Sequence, residues 1–298
     1  MIKTDTVICT NLVTLNRKKF VFTPYVMIAP AMILFILFTF YPFLKTIYLT
    51  FFLTNAQGKA SKFVGLANYK RILTTDAFWL YFKITNMFAL MVGLGTFFLS
   101  VIMGLMASSI HKGSRLYEVM YAMPMAVASA PASIIFSFMF SSNGILNHML
   151  GTNIRWLTDV NVALKSVAGV TIWASLGVSF IFLMTGFRGV PDELIESSTI
   201  DGATKLQKIR HILIPVASPQ IFFVIFLNIA NSFKAFAQIR LLTSGGPAES
   251  TTTLIYALYE MAFFNNRFES ACVLSLFLFL IIFFFTKIQF MFEKKVNY

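Results

Sequence analysis

Acidic side chains are scarce in this sequence, where 12 Asp and Glu stand against 24 Lys and Arg and the formal net charge is +12. None of the acids falls at the centre of a hydrophobic stretch; Asp76, Glu118, Asp159, Glu260 and Glu269 lie in connections or near the ends of such stretches. Proton and sodium relays usually rest on carboxylates kept inside the membrane at a high energetic cost. An ion-coupled secondary carrier therefore lacks its usual engine here, and it stands as the alternative only because sodium sites can also be built from backbone carbonyls. Cysteine is scarcer still. Cys9 and Cys272 are the only 2, which excludes a disulfide framework or a four-ligand metal site within the chain. The 3 histidines, His111, His148 and His211, fall in or near different connections without ligand spacing, so no metal site and no catalytic cluster is expected. A Gly-x-x-x-x-Gly-Lys-Ser/Thr phosphate loop is missing too. The run Gly245-Gly246-Pro247 lacks the lysine and hydroxyl that would hold phosphate and magnesium, and it reads as a turn at the outer end of the fifth span. No cofactor is expected on this chain.

What is abundant is apolar surface. Hydrophobic residues make up 57% of the chain, charged residues 12%, with 35 phenylalanines and a mean hydropathy of +0.76. That composition describes an all-α polytopic membrane protein. The basic residues are spread among loops rather than gathered on one soluble face, so anionic lipid explains the charge better than nucleic acid does. Windows long enough to cross a bilayer core of about 30 Å yield six spans. They run from Phe22 to Leu44, Trp79 to Ile110, Leu116 to Phe140, Ala163 to Phe187, Pro219 to Ile239 and Ser270 to Phe292. A membrane domain over 22–292 is thus expected between a polar tail (1–21) and a short end (293–298), with a polar loop at 190–215. The first span is long and lacks a small-residue cleavage signal, so it reads as a retained anchor. An even span count puts both termini on one side. The tail, the loop at Lys112 and Arg115, the polar loop and Lys294-Lys295 make that side basic, but Lys45, Lys59, Lys62, Lys70 and Arg71 crowd the other, so the charge bias toward cytoplasmic termini is small.

The polar island from Glu196 to Pro215 organises the rest. Pro191 followed by Asp192 and Glu193 makes a helix start, since proline presets φ and the acids face the positive end of the dipole. Gly202 breaks that helix. A second helical segment follows, in which Leu206, Ile209 and Ile212 or Leu213 recur at helical spacing, until Pro215 ends it. The stretch resembles the EAA loop of ABC-importer permeases: Glu-Ala-Ala, three residues, Gly, nine residues, then Ile, any residue, Leu-Pro. Glu196, Gly202, Ile212 and Pro215 fall at those spacings. Ser197 and Ser198 replace the usual alanines and Ile214 the leucine, substitutions that keep small size and volume.

The resemblance extends along the chain. Phe63-Val64-Gly65-Leu66-Ala67-Asn68-Tyr69, Gly113-Ser114-Arg115 leading to Met123-Pro124, and Ser232-Phe233-Lys234 leading to Gly245-Gly246-Pro247 are similar to phrases of the carbohydrate branch, the binding-protein-dependent permeases of the maltose and glycerol-phosphate type. Pro124 to Ala128 and Thr251 to Tyr256 most resemble the sn-glycerol 3-phosphate group within it. This resemblance implies the six-helix fold of a type I importer permease with a cytoplasmic coupling loop, hence cytoplasmic termini in a bacterial plasma or inner membrane. It also implies a second related permease subunit, two ATPase subunits that use ATP and Mg, and an extracytoplasmic solute-binding protein. Glu196, Asp201, Gly202, Ile212, Ile214 and Pro215 would couple to the ATPase. The solute would be a sugar or a glycerol phosphate, moved by alternating access.

Pathway residues must come from polar groups inside spans. Asn228, Asn231 and Lys234 recur at intervals of three, which places them on one helical face. Amides with a cation could handle hydroxyls or a phosphate; equally, amides join helices and a lysine near a helix end snorkels to the interface. Trp173 and Tyr121 are further candidates, although aromatics in spans are usually packing.

Overall fold

The computed structural model describes residues 23–108 and 114–296. The expected N-terminal tail with Cys9, the loop residues His111 and Lys112, and the last two residues of the expected C-terminal end lie outside the described residues. The chain divides into two compact units, Met1–Thr46 and Ile47–Tyr298. In the first, α1 (Thr23–Phe35) passes through a π turn (Ile36–Phe40) into α2 (Tyr41–Leu49). The π turn ends just ahead of Pro42, where the proline ring removes a helix donor and crowds the carbonyl of the preceding turn, so one residue of slack relieves the clash.

The second unit begins with an antiparallel hairpin, β1 (Phe52–Thr54) and β2 (Ala60–Phe63), and continues as α3 (Ala67–Leu73), α4 (Asp76–Ser108), α5 (Ser114–Ala126), α6 (Ser129–Met139), α7 (Ile145–Leu150), α8 (Ala163–Arg188), α9 (Asp192–Ile200) and α10 (Lys205–Lys208). A second π turn (Ile209–Leu213) leads to α11 (Ile214–Val216), α12 (Ser218–Phe233), α13 (Ala237–Leu242), α14 (Leu254–Phe263) and α15 (Phe268–Val296). Tyr25–Leu49, α4, α8 and Phe268–Met291 are each long and apolar enough to cross a membrane unbroken.

The other two expected spans are not straight helices. The span expected over Leu116 to Phe140 is α5 and α6, meeting at 100°. Pro131 is the reason: a helix continued through it would press its ring on the carbonyl of Val127, so the chain turns at Val127 and Ala128 and Pro131 falls in the first turn of a new helix. The span expected over Pro219 to Ile239 is also revised. α12 ends at Phe233 and the chain breaks before α13, while upstream the segment Lys205–Val216 meets α12 at 74° around Ala217. Pro219 dictates that second break, since its ring excludes the carbonyl of Pro215 from a continuous ladder. Counting each bent pair as one passage, the described residues hold six segments long and apolar enough to cross a membrane.

α4 and α8 pack lengthwise and form the spine. Their shared core holds Phe88, Val92, Val167 and Val170, joined by Ile239 and Tyr256, and Gly104 lets α4 approach Leu183 and Phe187 of α8. α5 crosses α8 at Gly177, where an added Cβ would stand 2.9 Å from the backbone nitrogen of Met125. Small residues permit such backbone approach in membranes, where dispersion replaces the hydrophobic drive.

The hairpin end explains one sequence phrase residue by residue. Gly65 takes a φ of +56°, which turns the chain from β2 into α3. Asn68, 1% exposed, donates its amide hydrogens to the carbonyls of Thr50 and Phe52, both at 2.9 Å, and the Tyr69 hydroxyl donates to Thr50 Oγ1 at 2.8 Å. Asn68→Ala leaves two carbonyls without these donors; at about 1 to 3 kcal/mol for unsatisfied buried groups, the detergent-solubilised protein is expected to melt several degrees lower, and an unchanged midpoint would refute the role. The same end holds an ion pair that the sequence did not reveal. Glu269, buried, accepts from Thr54 Oγ1 at 2.6 Å and from Arg71 at 3.0 Å. Gly245-Gly246-Pro247 forms its turn beyond α13, not at the end of α12, with Thr252 and Thr251 donating to the carbonyls of Gly245 and Gly246 at 3.0 and 2.8 Å.

Candidate coupling bracket and polar cleft

α9, α10 and α11 form a bracket at the end of the bundle where α4 and α8 finish and α12 begins. α9 starts at Pro191 with Asp192 and Glu193 in its first turn. It stops in a six-residue cap: the N–H of Ala203 bonds the carbonyl of Ser198 at 2.9 Å and that of Gly202 bonds Thr199 at 3.1 Å. Gly202 supplies the left-handed residue of this cap, with φ +75°. Thr204 and Gln207 then cap the second arm reciprocally. Lys208 Nζ donates to Thr199 Oγ1 at 2.6 Å and fastens the second arm to the first.

Glu196, Asp201, Gly202 and Pro215 are exposed, Ile214 is 39% exposed, and Ile212 is half-buried. The bracket's tip is apolar as well: Ile200 is 88% and Leu206 73% exposed, and around Gly202 no atom of the described residues, its two chain neighbours apart, lies within 4 Å of the position a Cβ would take. Two expectations for this segment change. Leu206 does not share a buried stripe with Ile209 and Leu213, because the π turn shifts the register of the arm; Leu213 instead packs on a core of Leu183, Phe187, Ala217 and Val224. Pro215 does not end the second arm, which runs to Val216, since the π turn before it absorbs the proline and the break falls at Ala217.

At the other end of α12 a polar cleft of about 370 Å³ is lined by Ser129, Thr171, Ser175, Asn231, Lys234 and Gln238, together with Ala235, Phe236 and Ala237. It opens where α12 breaks before α13, and no acidic side chain among the described residues lines it. Hydroxyls, amides and one ammonium can accept and donate to a small polar solute and balance a negative charge on it. Asn231 and Lys234 are brought together here; Asn228 is not. Buried on another side of α12, Asn228 accepts from Ser179 Oγ at 2.9 Å and faces an apolar cavity of about 270 Å³ between α4 and α12. The expected common face fails at Asn228, which Ser179 of α8 engages, while Asn231 and Lys234 lie at the end of α12 where the chain breaks toward α13. Trp173 packs edge-on against Phe136 at 5.1 Å and Tyr121 against Phe180 at 5.3 Å; neither lines the cleft. Ser129, Thr171, Ser175 and Gln238 were not anticipated. Single small hydroxyls inside apolar helices carry no sequence signal until the fold gathers them.

Residues 98–298 match the family described as binding-protein-dependent transport system inner membrane component. The chain is 34% identical over 281 residues to the sn-glycerol-3-phosphate transport system permease protein UgpA of Agrobacterium fabrum, covering 92% of this chain and 96% of that protein. The protein of the same name from Brucella suis is 32% identical over 281 residues, with the same coverages of 92% and 96%. Among solved structures, a bacterial ABC transporter involved in import of the acidic polysaccharide alginate superposes with a TM-score of 0.81 at 19% identity, covering 93% of this chain and 96% of that one.

Proposed function

The chain belongs to the binding-protein-dependent transport system inner membrane component family, and from that premise we propose that ATP hydrolysed on separate subunits drives it through the bracket Glu196 to Pro215. It is a multi-pass inner-membrane permease, a transport subunit rather than an enzyme, of a binding-protein-dependent ABC importer for a sugar or glycerol phosphate. The relatives named for sn-glycerol 3-phosphate make that compound our proposed solute.

In this reading a second related permease subunit completes the pathway, two ATPase subunits bind ATP and Mg on the cytoplasmic side, and a binding protein delivers solute to the opposite side. The termini and the bracket then face the cytoplasm. The observation that supports coupling is the exposed pair Ile200 and Leu206 flanking Gly202: apolar side chains at 88% and 73% exposure on a polar loop suit a partner's groove. Glu196 and Asp201 frame that surface with charge, and Ile212, Ile214 and Pro215 carry it back toward the spans. Closure of the ATPase pair would move the bracket as a rigid body, and through the core around Leu213 and Phe187 the spans would follow, opening the cleft alternately to each side. Asn231 and Lys234 are the proposed solute contacts; Asn228, Trp173 and Tyr121 hold the walls.

The test is energetic. In vesicles of the assembled importer, uptake is expected to stop when the ATPase subunits are removed or ATP is withheld, and to persist when an uncoupler collapses the proton gradient. The reverse pattern would return the ion-coupled carrier.

A further inference from the structure

The last turn of α8 carries Arg188, four residues ahead of the start of the bracket at Asp192. Its Nη2 donates to the carbonyl of Ala107 at 2.8 Å, in the final turn of α4, and to Glu118 Oε1 at 2.5 Å, in α5. The two side chains are 30% and 24% exposed, so the pair is shielded enough for a charge-assisted bond to hold its geometry. One guanidinium thus bonds a carbonyl in the last described turn of α4 and pins α5 to α8. Three helix ends meet at the point where the bracket leaves the bundle.

α5 is the element through which this matters. Along α8 it packs further, among other places with Tyr121 against Phe180 at 5.3 Å and with the backbone at Met125 against Gly177. Beyond its bend begins α6, whose first residue, Ser129, lines the polar cleft beside Asn231 and Lys234. Covalent connection carries a bracket movement into α8. Nothing covalent and short carries it from α8 to α5, because α5 follows α4 in the chain.

We infer that Arg188 is a positioning residue for energy coupling, clamping α5 to the bracket end of α8 so that a movement of the bracket reaches Ser129 and the wall of the cleft. The inference rests on the coupling role proposed for the bracket. Without the clamp, α8 moves under the bracket while α5 lags, and ATP is spent without the cleft changing its access. A coupling claim needs an element that both sites bias; α5 is that element, gripped at one end by Arg188 and continued at the other into the cleft.

The test uses the complete importer in proteoliposomes with its binding protein, measuring solute taken up per ATP hydrolysed. Arg188→Met and Glu118→Gln, assembled in normal amounts, are expected to lower that ratio by roughly tenfold, as loss of a shielded charged pair can do, while ATP hydrolysis itself continues. The double variant Arg188→Glu with Glu118→Arg restores the pair and should recover at least about a third of the lost ratio, a recovery that two independent sites would not show. Gly202→Trp serves as the reference. If it uncouples and both clamp variants keep the normal ratio, the inference about Arg188 is wrong and the bracket's role stands; if Gly202→Trp also keeps the normal ratio, the role of the bracket itself is wrong.

Discussion

Gly202→Trp is expected to abolish coupled uptake, by more than about 100-fold (a loss of about 3 kcal/mol of productive coupling), while Gly202→Ala retains a large part of it. The two substitutions share one penalty. Any side chain at φ +75° is strained by about 1 to 2 kcal/mol, which weakens the cap of α9 equally in both variants. They differ in volume, and the Cβ position itself is open, with no described atom beyond the two neighbouring residues within 4 Å of it, so a larger loss with Trp than with Ala points to a surface outside that position. Uptake and ATP hydrolysis in vesicles decide it, with insertion checked by the amount of assembled complex. Equal activity of the Ala and Trp variants would mean that nothing docks at the tip of the bracket.

Lys234→Glu should lower uptake of glycerol 3-phosphate on the order of 100-fold, and Lys234→Met by about tenfold, with neutral sugars far less affected. A unit pair at about 4 Å interacts by about 4 kcal/mol at an effective dielectric of 20, and the exposure of Lys234 to solvent reduces that to about 2 or 3 kcal/mol. Charge reversal converts attraction into repulsion, which gives the larger effect. With no acid among the cleft-lining residues, the lysine's field is not cancelled locally. Competition between radiolabelled glycerol 3-phosphate and unlabelled neutral sugars measures the selectivity. Unchanged uptake in Lys234→Glu would leave this lysine a snorkelling anchor, and an equal loss for every solute would make it structural.

The bracket was legible because its determinants are local. A proline start, an acidic first turn and a glycine break each act over a few residues, so Glu196 to Pro215 could be read before any helix was placed; the Thr204–Gln207 capping box came only with the structure. The cleft was legible only in part. Asn231 and Lys234 were found as polar residues in an apolar span, but nothing local showed that α8 would take Asn228 away from them through Ser179. Arg71 with Glu269, and Arg188 with Glu118, escaped altogether, being pairs separated by 198 and 70 residues.

By itself the amino-acid sequence determined the solvent and the engine. Its apolar runs can be satisfied only in a membrane, where helices bond their own backbones; its missing phosphate loop and scarce carboxylates led to the expectation of an external energy source, and its polar island to the proposal of where that source attaches. Only the tertiary structure decided where helices bend and which polar groups meet. Proline excludes a helical register but does not choose the new direction, which packing of α5 on α8 at Gly177 selects. Asn228 and Asn231 are three residues apart, yet one is buried against Ser179 and the other opens on the cleft, because the neighbours of each come from distant helices and exist as neighbours only after folding.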